Sequence, residues 1–180
     1  ADGIHWKNVK NLQQQTHARW DTPKNLVWDA LRRQWIIYLR SAPTVHEPEA
    51  GSLRIQSYVH SLTEDFMGNW SNAVPTGLNS SAQYQPDGLL VFPYEGIYIG
   101  IGNVFNPSQE PGAAAPIGQV NMVLAWSADG HHWNWIRPVE SFIPLGSSGE
   151  FDTCGVFSAK QDPLRTVVND TMRIYYAGCN

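Results

Sequence analysis

Apolar residues along this chain fall into short runs closed by Gly, Pro, Asp or Asn, a pattern that reads as buried strands. "NLVW" (25–28) leads through the polar "DALRRQ" into the aromatic and β-branched "WIIYLRS" (35–41), and "LRIQSYVHS" (53–61) follows. "LLVF" (89–92) leads through "PYEG" into "IYIGIGN" (97–103), and "VNMVLAWS" (120–127) follows. "GVFS" (155–158) leads through the longer "AKQDPLRTVVND" into "MRIYYAG" (172–178). Helical spacing is sustained almost nowhere. "NLVWDALRRQWIIYL" fits an amphipathic helix on paper, but its Trp, Ile, Ile, Tyr run favours a hairpin.

The same order of runs recurs with a fixed period. "ADGIHW" and "SADGHHW" both read Asp-Gly, two residues, Trp, and "SLTEDFMGNW" ends on a third Trp between them. Trp6, Trp70 and Trp133 are spaced by 64 and 63 residues. A second marker, an Asp just ahead of each first strand, falls at Asp21, Asp87 and Asp152, spaced by 66 and 65. Two markers with one period define a repeat, and four antiparallel strands per repeat of this length point to a propeller blade. The expected fold is all-β, a partial β-propeller with two full blades and two partial ones in a single domain, 1–180. The segments are a blade end at 1–16, blades at 17–75 and 82–140, and a partial blade at 150–180. An open arc of blades bares apolar faces at both ends. The remaining blades, in the same protein or another chain, are therefore expected partners.

Composition narrows the chemistry. The formal charge is -4 with no basic stripe, which excludes a phosphate backbone as partner. The apolar runs are strand-sized, so no membrane span is expected. Eight Trp and seven Tyr serve either core packing or a sugar site, where flat rings suit sugar faces. His131 and His132 are adjacent and alternate in direction on a strand, and the two Cys lack metal-ligand spacing. Neither a metal nor another cofactor is expected.

Three sequons, at Asn69, Asn79 and Asn169, are candidate glycosylation sites and point to a secreted protein. In such a compartment Cys154 and Cys179 can persist as a disulfide. If Val156 lies opposite Ala177 in the last hairpin, the two Cys face each other. The alternative is two free thiols.

At the repeated Asp residues the chain resembles the five-bladed propeller glycoside hydrolases, the invertase and fructosidase group and their arabinanase and xylosidase relatives. "WDTPKNLVW" is similar to that group's Arg-Asp-Pro phrase, with Asp21 at the Asp position, Trp20 in place of Arg, and Thr22 inserted before Pro23. "YQPDGLL" is similar to Glu-Cys-Pro-Asp-Leu: Pro86 and Asp87 match, Gln85 replaces Cys, and Tyr84 replaces the Glu that acts as general acid. "GSSGEFDTCGVF" places Asp152 where the fourth blade's Asp lies. The resemblance implies Asp21 and Asp152 as catalytic residues and His17, Trp20, Tyr84 and Asp87 as substrate-binding residues, with a glycan or oligosaccharide as ligand. The blade carrying the family's nucleophile is expected to be missing apart from its last strand. Glycosidases need a pair of carboxyl groups, one held protonated, and Tyr is a poor substitute for the acid. Glu150 is a possible replacement, or a solvated loop residue. Arg19 and Arg40 can position a carboxylate or a sugar hydroxyl. "SADGHHW" also resembles the sialidase Asp-box, one residue short, and reads as a hairpin that shapes a blade's outer edge.

Three functions stay open at this point: a glycoside hydrolase, a non-catalytic carbohydrate-binding module, and a structural glycoprotein. The repeated Asp also has a plain structural reading, since a carboxylate at a strand start can bond backbone N–H groups and fix a turn.

Overall fold

The computed structural model describes residues 11–12, 16, 24–41, 54–78, 80–81, 84–106, 119–137, 140–158 and 171–179. Among them, ten strands form two sheets, antiparallel apart from one parallel contact. β1 (Asn25–Asp29), β2 (Gln34–Ser41), β3 (Ile55–His60) and β4 (Val74–Pro75) make a four-stranded sheet in sequential order. β5 (Gln85–Tyr94), β6 (Ile97–Asn106) and β7 (Gln119–Ser127) make the body of a second, with β8 (Asn134–Trp135) along β7. β9 (Gly155–Ser158) and β10 (Tyr176–Cys179) form a last hairpin. The segment that admitted a helix is the β1–β2 hairpin.

Where the repeat implies a separate third unit, β9 instead joins the edge of the second sheet. It does so through one parallel pairing, Val120 with Gly155, and Asn103 Oδ1 accepts a bond from Ser158 N at 2.9 Å. The short β9 leaves room for this contact, and β8, only two residues long, does not cover that stretch of β7.

Local chemistry sets the turns. Glu95 and Gly96 both have positive φ, 49° and 85°, the two-residue type I′ geometry that matches strand twist between β5 and β6. In the β1–β2 turn, Asp29 Oδ1 accepts bonds from Leu31 N and Arg32 N. In "SADGHHW", Asp129 Oδ1 accepts from His131 N and His132 N, both at 2.8 Å, while Gly130 takes φ 75°. The phrase is thus a hydrogen-bonded turn between β7 and β8.

Strand faces explain the stacking. Along β2, Ile37 and Leu39 point into one cluster with Val59 and Trp70, while Ile36 and Tyr38 point into another with Val27, Tyr58, Leu89, Val91 and Trp133. The second cluster lies between the two sheets. The far face of the second sheet carries Leu90, Phe92, Ile101 and Met122, covered by Val156 and its neighbours. Both faces of each sheet are therefore apolar over part of their area. Leu26 (46% exposed) and Trp28 (36%) lie open on β1, and Trp126, Ile136 and Phe142 lie open near the outer strands of the second sheet.

Trp133 centres the interface. It is 3% exposed, its Nε1 donates to Gly130 O at 3.0 Å, and its main-chain N donates across the interface to Thr76 O at 2.9 Å. The alternating Gly100 and Gly102 of "IYIGIGN" make room for Trp133 and Trp135. A Cβ on Gly100 would lie 2.6 Å from Trp133 Cζ3 and 2.8 Å from Leu89 Cδ1. Because the indole is anchored at two points, it cannot swing aside. Gly100→Ala is therefore expected to lower stability by about 1–3 kcal/mol, the usual range for overpacking. Urea unfolding checks this, and an unchanged midpoint would contradict the packing described.

Candidate functional site

Asp87 sits at the start of β5, at a register shift between Pro86 and Gly88. The bulge re-aims its side chain out of the ladder. Two guanidinium groups converge on Asp87 Oδ1: Arg40 Nη1 from β2 at 2.6 Å and Arg54 Nη1 from just before β3 at 2.5 Å. Arg54 also lies 4.1 Å above the Phe105 ring. All three charged side chains are partly buried at the junction of the two sheets. The result is a fixed group of donors and acceptors, with an aromatic ring holding one of the cations in place.

Asp152 lies in the turn before β9 and is buried. Its Oδ2 accepts a bond from Tyr176 Oη at 3.0 Å, and Tyr176 stacks on Phe151 at 5.8 Å. The bond to the carboxylate raises the Tyr176 phenol above its ordinary value. Gly146 is needed here, because a Cβ at that position would collide with Asp152 Oδ1. Glu150 Oε2 accepts from Ser147 N and fixes the local turn at an exposed position. β5 is antiparallel to β6, β6 to β7, and β7 runs parallel to β9. Asp87 and Asp152 are thus found at the N-terminal ends of strands running the same way.

Tyr84 is placed inside rather than in an open cleft. Its ring meets Trp135 edge-on at 5.9 Å, and its hydroxyl is buried with no hydrogen-bond partner among the described residues. Burial pushes its phenol well above the ordinary range, so it keeps its proton. Asn69 is exposed in the connection between β3 and β4. His17, Trp20, Asp21, Asn79 and Asn169 lie outside the described residues.

Cys154 and Cys179 are joined by a disulfide with Cα atoms 5.4 Å apart. The register is one residue from the expected pairing: Val156 lies opposite Gly178, and Cys179 opposite Gly155. The cysteines are diagonal neighbours, linked also by Cys154 N donating to Cys179 O at 2.9 Å. The bridge closes because the small Gly155 leaves the space that the slipped register requires.

A second polar cluster, not foreseen from the spacing of the Asp residues, joins the sheets at their other end. Asp29, with 0% exposure, accepts from Arg32 Nη1 and Tyr98 Oη, both at 2.9 Å, and Arg32 also donates to Asp129 O. Burial alone would raise the Asp29 carboxyl, but its bonds from Arg32 and Tyr98 hold it below the ordinary value. Burial likewise opposes ionisation of Asp129, and bonds from His132, His131 and Ser127 outweigh it, leaving the carboxyl well below the ordinary range. The stabilisation these two groups give is therefore present above the usual carboxylate range and lost as pH falls through their depressed values. The only sequence signal for this cluster was the Asp-box-like phrase. Among the described residues, no three His, Cys, Asp or Glu side chains converge as a metal site, and no helix is long and apolar enough to cross a membrane.

This geometry defines an all-β protein of face-packed antiparallel sheets. No protein-family description matches the chain by sequence, and no curated protein does. Among solved structures it is similar in fold to an N-acetylgalactosamine deacetylase from F. plautii, determined in complex with blood group B trisaccharide. The TM-score is 0.58 at 18% identity, over 78% of this chain and 35% of that one. The chain thus spans about a third of the length of that enzyme.

The disulfide spans a sequence separation of 25 residues. Replacing both cysteines (Cys154→Ser with Cys179→Ser) is expected to cost about 3.5 kcal/mol on the loop-entropy scale. Denaturant midpoints with and without reductant check this, and identical midpoints would contradict a structural bridge.

Proposed function

We propose that the stacked sheets are successive blades of a β-propeller and that the N-terminal ends of its inner strands bind a carbohydrate without cleaving it. The observation that carries this reading is the Arg40–Asp87–Arg54 cluster. It offers oriented donors and a carboxylate beside an aromatic ring, a set suited to the vicinal hydroxyls of a sugar. The repeat spacing supports the blade assignment. The fold likeness to an enzyme determined with a bound trisaccharide is in keeping with a carbohydrate ligand.

The same residues argue against hydrolysis as the first reading. A general acid must carry a proton near neutral pH and release it to the leaving group. Asp87 is held between two guanidinium groups, which favour its ionised form, and Tyr84 binds its proton too tightly. Asp152 accepts a bond from Tyr176, a suitable arrangement for an orienting carboxylate. The assignment of Asp21 and Asp152 as catalytic residues belongs to the alternative reading, a glycoside hydrolase, whereas His17, Trp20, Tyr84 and Asp87 are sugar contacts in either reading. The three sequons and the disulfide support a secreted protein.

A glycan array separates the readings. The chain is expected to retain a defined set of oligosaccharides and release no reducing sugar from them. Arg40→Ala should weaken retention by about tenfold, the equivalent of ~1.4 kcal/mol. Turnover abolished by Asp152→Asn would favour the hydrolase, and no retention of any sugar would overturn both.

A further inference from the structure

Away from the inner strand ends, three rings stack across the seam between the sheets. His131, in the β7–β8 hairpin, lies face to face with Tyr58 of β3, with centroids 4.7 Å apart and planes 13° from parallel. It also stacks on His60 of β3 at 5.9 Å and 25°. The seam is held at the same point by Tyr38 Oη donating to Gly130 O at 2.6 Å and by Arg32 Nη1 donating to Asp129 O at 2.7 Å. We infer that the stacked His60–His131 pair is a proton-sensitive latch: neutral imidazoles close the seam between the two sheets, and protonation opens it.

The hydrogen bonding, with the side chains oriented as they are, is that of the neutral form. Gln34 Nε2 lies 3.1 Å from His131 Nε2, so the amide donates and the ring nitrogen accepts. A protonated ring would turn N–H against N–H until the amide flipped to present Oε1. His60 Nδ1 is buried with no partner among the described residues, and a proton there would be a buried donor without an acceptor among them. Two imidazolium rings at 5.9 Å would also repel each other.

The charged surroundings act in both directions. Arg32, from the β1–β2 turn, disfavours a charge on His131, as does His60 itself. Asp129 and Asp29 favour it, but both carboxylates already accept bonds from Ser127, His131 N and His132 in one case and from Arg32 and Tyr98 in the other. The Tyr58 ring face attracts a cation. Burial is the largest influence on both histidines and lowers each below its ordinary value, with Arg32 adding to it at His131.

The sign follows from linkage. The closed seam excludes protons that the opened seam binds near the ordinary histidine value, about 6.5. Closure is therefore fully favoured above that value and weakens as pH falls through it, until the depressed closed-state values are reached. Two histidines allow opening to rise by at most about a hundredfold between pH 7.5 and 5.5.

Native-state hydrogen exchange reads this directly, because two amides donate across the seam: Trp133 N to Thr76 O and Val91 N to Asn25 Oδ1. After correction for intrinsic rates, opening at these amides should rise at least about fivefold from pH 7.5 to 5.5, while amides within the β6–β7 ladder change much less. His60→Phe with His131→Phe keeps the rings and removes the protons, and should flatten that response. An equal response in the variant, or equal acceleration throughout the β6–β7 ladder, would overturn the latch. Should the variant fail to fold, ring-proton NMR titration of the unmodified chain decides: midpoints for both histidines below the ordinary value support the latch, and midpoints at or above it overturn it.

Discussion

A sheet that is apolar on both faces cannot stand alone in water, and this constraint organises the molecule. Burial contributes roughly 25 cal/mol per Å² of apolar surface, so each uncovered strand face is a substantial loss. β2 sends Ile36 and Tyr38 one way and Ile37 and Leu39 the other, and the second sheet divides Leu89 and Val91 from Leu90 and Phe92 in the same manner. Each sheet must then be covered on two sides. Trp133 fills the middle of the first interface, and Gly100 of β6 lets its ring approach the backbone. The polar and ring clusters are arranged around this seam, with the Asp87 cluster at one end and the histidine stack at the other.

That arrangement gives the carboxylates different roles. Asp87 is a bulge residue neutralised by two arginines from the facing sheet, so it contributes to docking as well as to the proposed sugar contact. The Asp29 and Asp129 carboxylates order turns, and Asp29 also accepts Tyr98 Oη across the seam, where Asp129 receives Arg32 at its main-chain oxygen. Asp152 is held by a tyrosine of the neighbouring strand. Asp87 and Asp152, two of the repeated Asp residues, are both acceptors at the start of a strand, and the donors differ between them.

Much of the strand order was legible in the sequence because continuous apolar runs and Gly-containing turns leave little freedom. "PYEG" and "SADGHHW" specified their turns through residues suited to positive φ or to accepting backbone N–H bonds. The last hairpin was harder to read, since the seventeen residues between β9 and β10 do not fix register. The pairing fell one residue away from the expected one, and Gly155 absorbed the difference. The parallel contact of β9 with β7 left no sequence signal, because it is a single pairing between strand ends. The partners of Asp87 were half legible: Arg40 stood out as a possible positioning residue, whereas Arg54 is brought in by the β2–β3 pairing. The histidine stack was hidden because His60 and His131 are far apart in the chain and meet only when the sheets dock.

The proposed carbohydrate site comprises the N-terminal ends of β5 and β9, with two arginines of the facing sheet held on Asp87 of β5. Backbone amide chemical-shift mapping during titration with an oligosaccharide drawn from the array tests it most directly. The account predicts saturable shifts concentrated at residues 84–88, 103–105 and 152–155. Saturable shifts confined to the outer surface around Trp126, Ile136 and Phe142, with residues 84–88 unmoved, would contradict it.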